Sequence, residues 1–243
     1  MKKCSPKKTL LGVIGGMGPL ADAVFLHRLH SLTVAKSDRD YIPVIYDGTC
    51  KRPDRSDFLT GKSNKSPKES IKASLKKLER ECADVIVMPC NTAHYWLGRI
   101  KRYKRRRTLI IDMIYETCLE CQRADFKTVC LLATDGTYEK DLYGDYLFKL
   151  GIDCIYPSKE LKIQINSLIK SLKSGKRISL TEIEGELSKL SCDGFILGCT
   201  ELSLAYEHTD SSNLKYIDCL TALSNKVIKV FGKSTKCFTN AFS

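Results

Sequence analysis

Apolar and polar positions fall along this chain in short alternating blocks of two kinds. Thr9–Ile14, Tyr41–Tyr46, Asp84–Met88, Leu109–Met113, Thr128–Ala133 and Gly194–Leu197 are brief apolar runs bounded by glycine, proline or charged residues. That length and make-up predicts buried strands. Between them the apolar positions take helical spacing, from about Leu20 to Val34, over Tyr138–Leu150 and over Lys159–Leu172. A further helix is expected to start at Ser66 with Pro67 in its first turn, since Ile71, Leu75 and Leu78 then share one face. Strand–helix alternation with short connections predicts an α/β protein whose parallel sheets are covered by helices.

The pattern occurs twice. "KTLLGVIGGMG" (Lys8–Gly18) parallels "KTVCLLATDGT" (Lys127–Thr137), and "ADVIVMPCNT" (Ala83–Thr92) parallels "CDGFILGCTE" (Cys192–Glu201), at offsets of 119 and 109 residues. In the second pair an aspartate stands six places before the cysteine both times, Asp84 before Cys90 and Asp193 before Cys199. Two pseudo-symmetric α/β lobes follow, with the site in the cleft between them. The apolar stretch Leu214–Val230 is expected to return to the first lobe. The first lobe then comprises residues 1–112 plus 219–243 and the second 113–218, with crossings near Asp112 and Asp218.

Composition narrows the setting. With 43% hydrophobic residues over 243 positions the chain can bury a substantial core, and it has no apolar run of the roughly 18 residues a membrane span needs. The basic start and short apolar stretch of "MKKCSPKKTLLGVIGGMG" are interrupted by glycines and lack a cleavage site, so a cytoplasmic protein is expected. Its 12 cysteines are scattered, and some lie inside apolar runs, which reads as reduced core thiols rather than a disulfide framework. The CxxC of Cys118 and Cys121 has no second pair and lies in a helical stretch, so neither a metal nor a redox role is expected. Net charge is +12, and seven of the nine residues Arg99–Arg107 are basic. No nucleic-acid module accompanies that run, so it reads as a solvated helix end rather than a nucleic-acid surface.

The chemistry lies at the two repeated cysteines. In parallel α/β sheets ligands bind outside the carboxyl ends of strands, where Cys90 and Cys199 are placed. Helices starting just after them would favour thiolates through their unpaired N–H groups. Asn91, Thr92, Thr200 and Glu201 supply hydrogen-bonding groups beside the sulfurs. Two thiols facing each other across a cleft suit removal of a proton from one face of a carbon and delivery to the other. The bland reading is a pair of buried core cysteines. A rival comes from "GMGPLA" (Gly16–Ala21), which fits the G-x-G-x-x-A fingerprint of a nicotinamide-dependent reductase. Pro19 removes an N–H from that turn, and Asp47 stands late for a ribose-binding acid. His94, four residues past Cys90, is either an acid/base partner or a packing group, and His27 with His30 lacks a third metal ligand.

These residues also carry a resemblance. "GVIGGMGPLA" (Gly12–Ala21), "PDR" (Pro53–Arg55), "PCNTAH" (Pro89–His94), "ATDGT" (Ala133–Thr137) and "GCTEL" (Gly198–Leu202) resemble, in order, the motifs of the aspartate/glutamate racemase family. The resemblance implies racemisation of a small acidic amino acid, aspartate before glutamate, without pyridoxal phosphate or any other cofactor, by a homodimer. It implies Cys90 and Cys199 as the catalytic pair and Arg55 as the carboxylate-binding arginine, for which the guanidinium fork is suited. Gly16, Met17, Asn91, Thr92, Thr134, Thr200 and Glu201 are the implied substrate-binding residues, joined by Lys173 of "SLKSGK". Two positions depart from the pattern. The stretch before Arg55 lacks an asparagine-rich run and offers Arg52 as a substitute cation, and Ser203 stands where proline is common, a change expected to affect only a turn. A lyase or isomerase acting on a small dicarboxylate with the same cysteines is the nearest alternative, and a non-catalytic binding protein the next.

Overall fold

In the computed structural model, which describes residues 9–104, 108–209 and 212–236, the apolar runs form two separate parallel sheets of four strands each. The first contains β1 (Leu11–Ile14), β2 (Val44–Asp47), β3 (Val85–Val87) and β4 (Leu109–Ile110) in the order β2-β1-β3-β4. The second contains β5 (Thr128–Leu132), β6 (Asp153–Ile155), β7 (Gly194–Leu197) and β8 (Tyr216–Asp218) in the order β6-β5-β7-β8. Adding four to each strand of the first order gives the second, so the two lobes repeat one topology. All strand pairings are parallel, with Leu11 opposite Val85 in one lobe and Val129 opposite Gly194 in the other.

The repeated aspartates explain why that topology recurs. Asp84 accepts hydrogen bonds from the N–H groups of Thr9 (2.8 Å) and Leu10 (3.2 Å). Asp193 accepts from Lys127 (2.7 Å) and Thr128 (2.8 Å) in the same way. In each lobe the aspartate before the cysteine-bearing strand thereby anchors the start of the neighbouring strand, and with it the register of the pair.

Helices cover both faces of each sheet. They are α1 (Pro19–Leu32), α2 (Arg55–Leu59), α3 (Lys68–Arg80), α4 (Leu97–Lys101), α5 (Met113–Arg123), α6 (Asp135–Glu139), α7 (Gly144–Lys149), α8 (Lys159–Lys173), α9 (Thr181–Leu187), α10 (Thr200–Glu207) and α11 (Cys219–Val230). After β8 the chain leaves the second sheet. Leu220, Leu223, Val227 and Ile228 of α11 then join Leu11, Val85, Phe25 and Leu29 in the core of the first lobe. Each crossing between the lobes is an aspartate that caps the next helix, Asp112 on the N–H of Tyr115 (3.2 Å) and Asp218 on that of Thr221 (2.7 Å).

Four expectations need amendment. The single helix over Tyr138–Leu150 is two short ones, because Asp141 has φ +42° and its carboxylate receives the N–H of Gly144 (3.2 Å), starting a new helix. Two strands are shorter than expected: the second begins at Val44 rather than Tyr41, and the fourth ends at Ile110 rather than Met113, which opens α5. Ser203 lies within α10, not in a turn, and its hydroxyl donates to buried Asp218. In the basic run, Arg99 and Lys101 are exposed on α4 and Arg99 lies 5.5 Å from the Tyr95 ring, while residues 105–107 fall outside the described residues. Among the described residues no helix is long and apolar enough to cross a membrane.

Candidate active site

Beyond the last residue of β3 the chain runs through Met88 and Pro89 to Cys90, and beyond β7 through Gly198 to Cys199. Topologically equivalent strand ends thus present both sulfurs to one cavity between the lobes. Its free space is about 10 Å³, enough for about one water, so the cleft is shut. Cys90 and Cys199 are 6% and 5% exposed. Met17, Arg55, Asn91 and Thr92 complete the wall from the first lobe, and Thr134, Lys173, Thr200 and Glu201 from the second. Of the residues implied by the motifs, Gly16 does not line the cavity. With φ +76°, its N–H donates to Asp22 (2.7 Å), and a side chain there would strike the Thr49 carbonyl at 2.2 Å.

The helix starts do not decide the charge state of the thiols. Cys199 caps α10, and Cys90 precedes a short 3-10 turn over Thr92–Trp96, yet burial pushes both thiols up from the ordinary cysteine value. Desolvation of a charge by the surrounding protein outweighs the partial charges of so short a turn and helix. The two sulfurs differ in what opposes or reinforces that effect. Beside Cys90 the Arg55 guanidinium favours the thiolate. Cys199 instead donates its S–H to Glu201 Oε2 (3.0 Å), and that carboxylate pushes its thiol up further.

Arg55 opens α2, where Asp54 caps the helix by accepting from Ser56 N–H (2.8 Å) and Asp57 N–H (3.0 Å). Its Nη2 donates to the Met17 carbonyl (2.6 Å), while Nε is buried without a hydrogen-bond partner. Arg52 is not a substitute. Its guanidinium is occupied by the carbonyls of Gly15 (3.2 Å) and Ser70 (2.7 Å) and by Ser74 Oγ (2.7 Å).

Lys173 ends α8 and faces Asp54 across the cleft at 3.9 Å. Burial disfavours its charge, but Glu201, Cys199 and Asp54 outweigh that, and its ammonium is held above the usual lysine value. Ser56 Oγ accepts from Gly136 N–H (2.8 Å), and Thr92 Oγ1 lies 3.0 Å from Thr134 Oγ1, so polar contacts tie the lobes together around the cavity. Asp54, Ser56, Thr134 and Lys173 also line a larger cavity of about 810 Å³, which makes them the neck between the shut pocket and an outer chamber. Sequence reasoning missed Asp54 and Ser56, although Asp54 lies inside the quoted motif and Ser56 directly follows it.

Three other candidates resolve differently. The Met113 N–H donates to His94 Nε2 (3.1 Å), so the ring proton is on Nδ1 and points at the Cys90 carbonyl (2.9 Å). Those bonds face the backbone, not the sulfur. At Gly18 a side chain would meet Glu201 Oε1 at 2.3 Å, so the close approach that this glycine permits is taken by a carboxylate of the other lobe. Burial pushes both thiols of the CxxC up, Cys121 to about 12. Among the described residues no group of three or more histidine, cysteine, aspartate or glutamate side chains is placed to hold a metal.

Residues 14–227 match the family of Asp/Glu/hydantoin racemases, over most of the chain. The protein belongs to that family. A broad-specificity amino-acid racemase, RacX of Bacillus subtilis (strain 168), is 25% identical over 231 residues, covering 91% of this chain and 98% of its own. The solved aspartate racemase of Picrophilus torridus superposes with a TM-score of 0.79 at 29% identity, over 94% of this chain and 96% of that one. Glutamate racemase from Francisella tularensis subsp. tularensis SCHU S4, solved with D-glutamate, shares the fold with a TM-score of 0.67 at 18% identity, over 93% and 81% of the two chains.

Proposed function

We propose that this protein is a cofactor-independent amino-acid racemase of acidic substrates, aspartate before glutamate, with Cys90 and Cys199 as opposed acid and base. The observation that carries the reading is the unequal pairing of two buried thiols on one cavity, Cys90 with a guanidinium and Cys199 with a carboxylate. Of the two, Cys90 is the thiol whose thiolate a neighbouring cation favours, and Cys199 is held as a thiol by its carboxylate partner. The thiolate removes the Cα proton from its face, and the thiol delivers its own proton to the opposite face. Return in the other direction exchanges the roles. Arg55 and Lys173, the cations lining the cavity, suit the two carboxylates of the substrate.

The test uses Cys90→Ser and Cys199→Ser separately. A serine hydroxyl is too weak an acid to replace either thiol, so racemisation should fall by orders of magnitude in both. Each variant keeps one cysteine to serve as base and should still exchange Cα–H for deuterium in one enantiomer, and the enantiomer should be opposite in the two. Exchange of the same enantiomer by both, or wild-type racemisation by either, rules the reading out.

A further inference from the structure

Racemisation by two thiols depends on their separation, because a carbon must fit between them with both faces in reach, and an error of about 1 Å can cost roughly a hundredfold in rate. The two sulfurs belong to different lobes, and the lobes are joined covalently at two crossings, Asp112–Met113 and Asp218–Cys219. The turn carrying Cys90 is hydrogen-bonded to both. At the first, His94 accepts the Met113 N–H (3.1 Å) and directs its other ring nitrogen to the Cys90 carbonyl (2.9 Å). At the second, Asn91 Nδ2 donates to Cys219 Sγ (3.3 Å), and Tyr143 of the second lobe donates to Asn91 Oδ1 (2.5 Å). All six residues in these bonds are buried, with Met113, Tyr143 and Cys219 fully so.

The helix that follows Cys199 is tied to the same second crossing. Ser203 on α10 donates to Asp218 Oδ1, and Arg28 of α1 bridges Asp218 and Glu207 at the end of α10 (2.8 Å to Glu207). One peptide segment is therefore the common reference for both cysteine-bearing turns.

We propose that His94 and Asn91 are positioning residues, which pin the Cys90 turn to both crossings between the lobes and so set the separation of the two thiols. The proposal rests on the two-thiol reading above. Neither side chain acts on the reacting carbon. His94 holds the backbone of Cys90 in place, and Asn91 is itself held by an oxygen and a sulfur from opposite sides.

The experiment compares two reactions of one protein in D2O. Inversion of configuration needs both thiols in register. Exchange with retention needs one thiolate to remove a proton and return a deuteron on its own side. His94→Leu removes the bond from the Met113 N–H at the first crossing and the bond to the Cys90 carbonyl, and Tyr143→Phe, a milder change that keeps the ring, removes the bond that orients Asn91. Both should lower the inversion kcat by about ten- to a hundredfold. KM should change little, and the ratio of retention exchange to inversion should rise by a similar factor. Cys219→Ala should behave like Tyr143→Phe, and Cys219→Ser, which restores an acceptor for Asn91, should recover most of the inversion rate. If these variants lose exchange and inversion in proportion, or leave the ratio unchanged, the positioning role is overturned. Failure of the underlying reading shows separately, as wild-type inversion by Cys90→Ser.

Discussion

Replacing Arg55 by lysine isolates what the guanidinium supplies. Arg55 is 8% exposed, sits beside Cys90 and donates from Nη2 to the Met17 carbonyl at 2.6 Å. A lysine keeps the charge but gives a point ammonium in place of a planar fork, so it cannot hold Met17, the Cys90 sulfur and a substrate carboxylate together. Losing one charge-assisted hydrogen bond costs about 1.5–3 kcal/mol. At 1.36 kcal/mol per decade this lowers kcat/KM about ten- to a hundredfold. Arg52 cannot compensate, because its guanidinium is committed to Gly15, Ser70 and Ser74. The electrostatic part has its own signature. The guanidinium opposes the burial that pushes the Cys90 thiol up, so weakening it should move the rise of activity to higher pH and slow alkylation of Cys90 at neutral pH. Initial rates with each enantiomer of aspartate, followed by circular dichroism, measure the first effect, and iodoacetamide labelling with peptide mapping measures the second. Near-normal kcat/KM together with an unshifted labelling profile would remove Arg55 from the site.

Two further outcomes follow from buried carboxylates. Burial pushes the Asp22 carboxyl up to about 6 from 3.8, against the lowering effect of bonds from Gly16 and Tyr46. The stability this group confers is present below about pH 4 and is lost as pH rises through 6, by about 3 kcal/mol. Asp22→Asn should therefore raise the denaturation midpoint at pH 7.5 and change it little at pH 4, and an equal shift at both would refute the assignment. Gly18→Ala places a methyl 2.3 Å from Glu201 Oε1 and must push that carboxylate away from Cys199. A fall in kcat of about tenfold with an unchanged melting temperature is expected, and unaltered kcat would show that Glu201 is free to relax.

The two-lobe architecture was legible because the strands on which it depends are fully buried and so carry unbroken apolar runs, as in β1 and β7. Strand β6 was not, since Asp153, Cys154 and Ile155 form a partly exposed edge with no clean pattern. The cysteine-bearing turns could be found from their repeated context, but their partners could not. His94 reads as an acid/base candidate until Met113, 19 residues away, is seen to donate to it, and Asn91 reads only as a hydrogen-bonding group beside the sulfur until Cys219, 128 residues away, receives its amide. Ser203 passed as a harmless departure because its partner Asp218 lies beyond the end of its helix. The expected help of helix ends to the thiolates failed for a similar reason, since burial of the sulfurs depends on the closure of two distant lobes and not on the local turn.

The shut cleft has a consequence for how turnover is paced. An amino acid needs more room than this cavity offers, so its entry requires the neck to widen, with Lys173 parting from Asp54 and Gly136 from Ser56. The apparent affinity is then the intrinsic affinity diluted by the fraction of molecules that stand open. Loosening the neck raises that fraction while weakening the enclosure that keeps water from the carbanion. Tightening it protects the intermediate but traps the product. The strength of a few polar contacts far from the reacting carbon thus sets a compromise between capture and release, and solvent viscosity, which slows lobe motion and leaves proton transfer untouched, is the variable to which such an enzyme would respond.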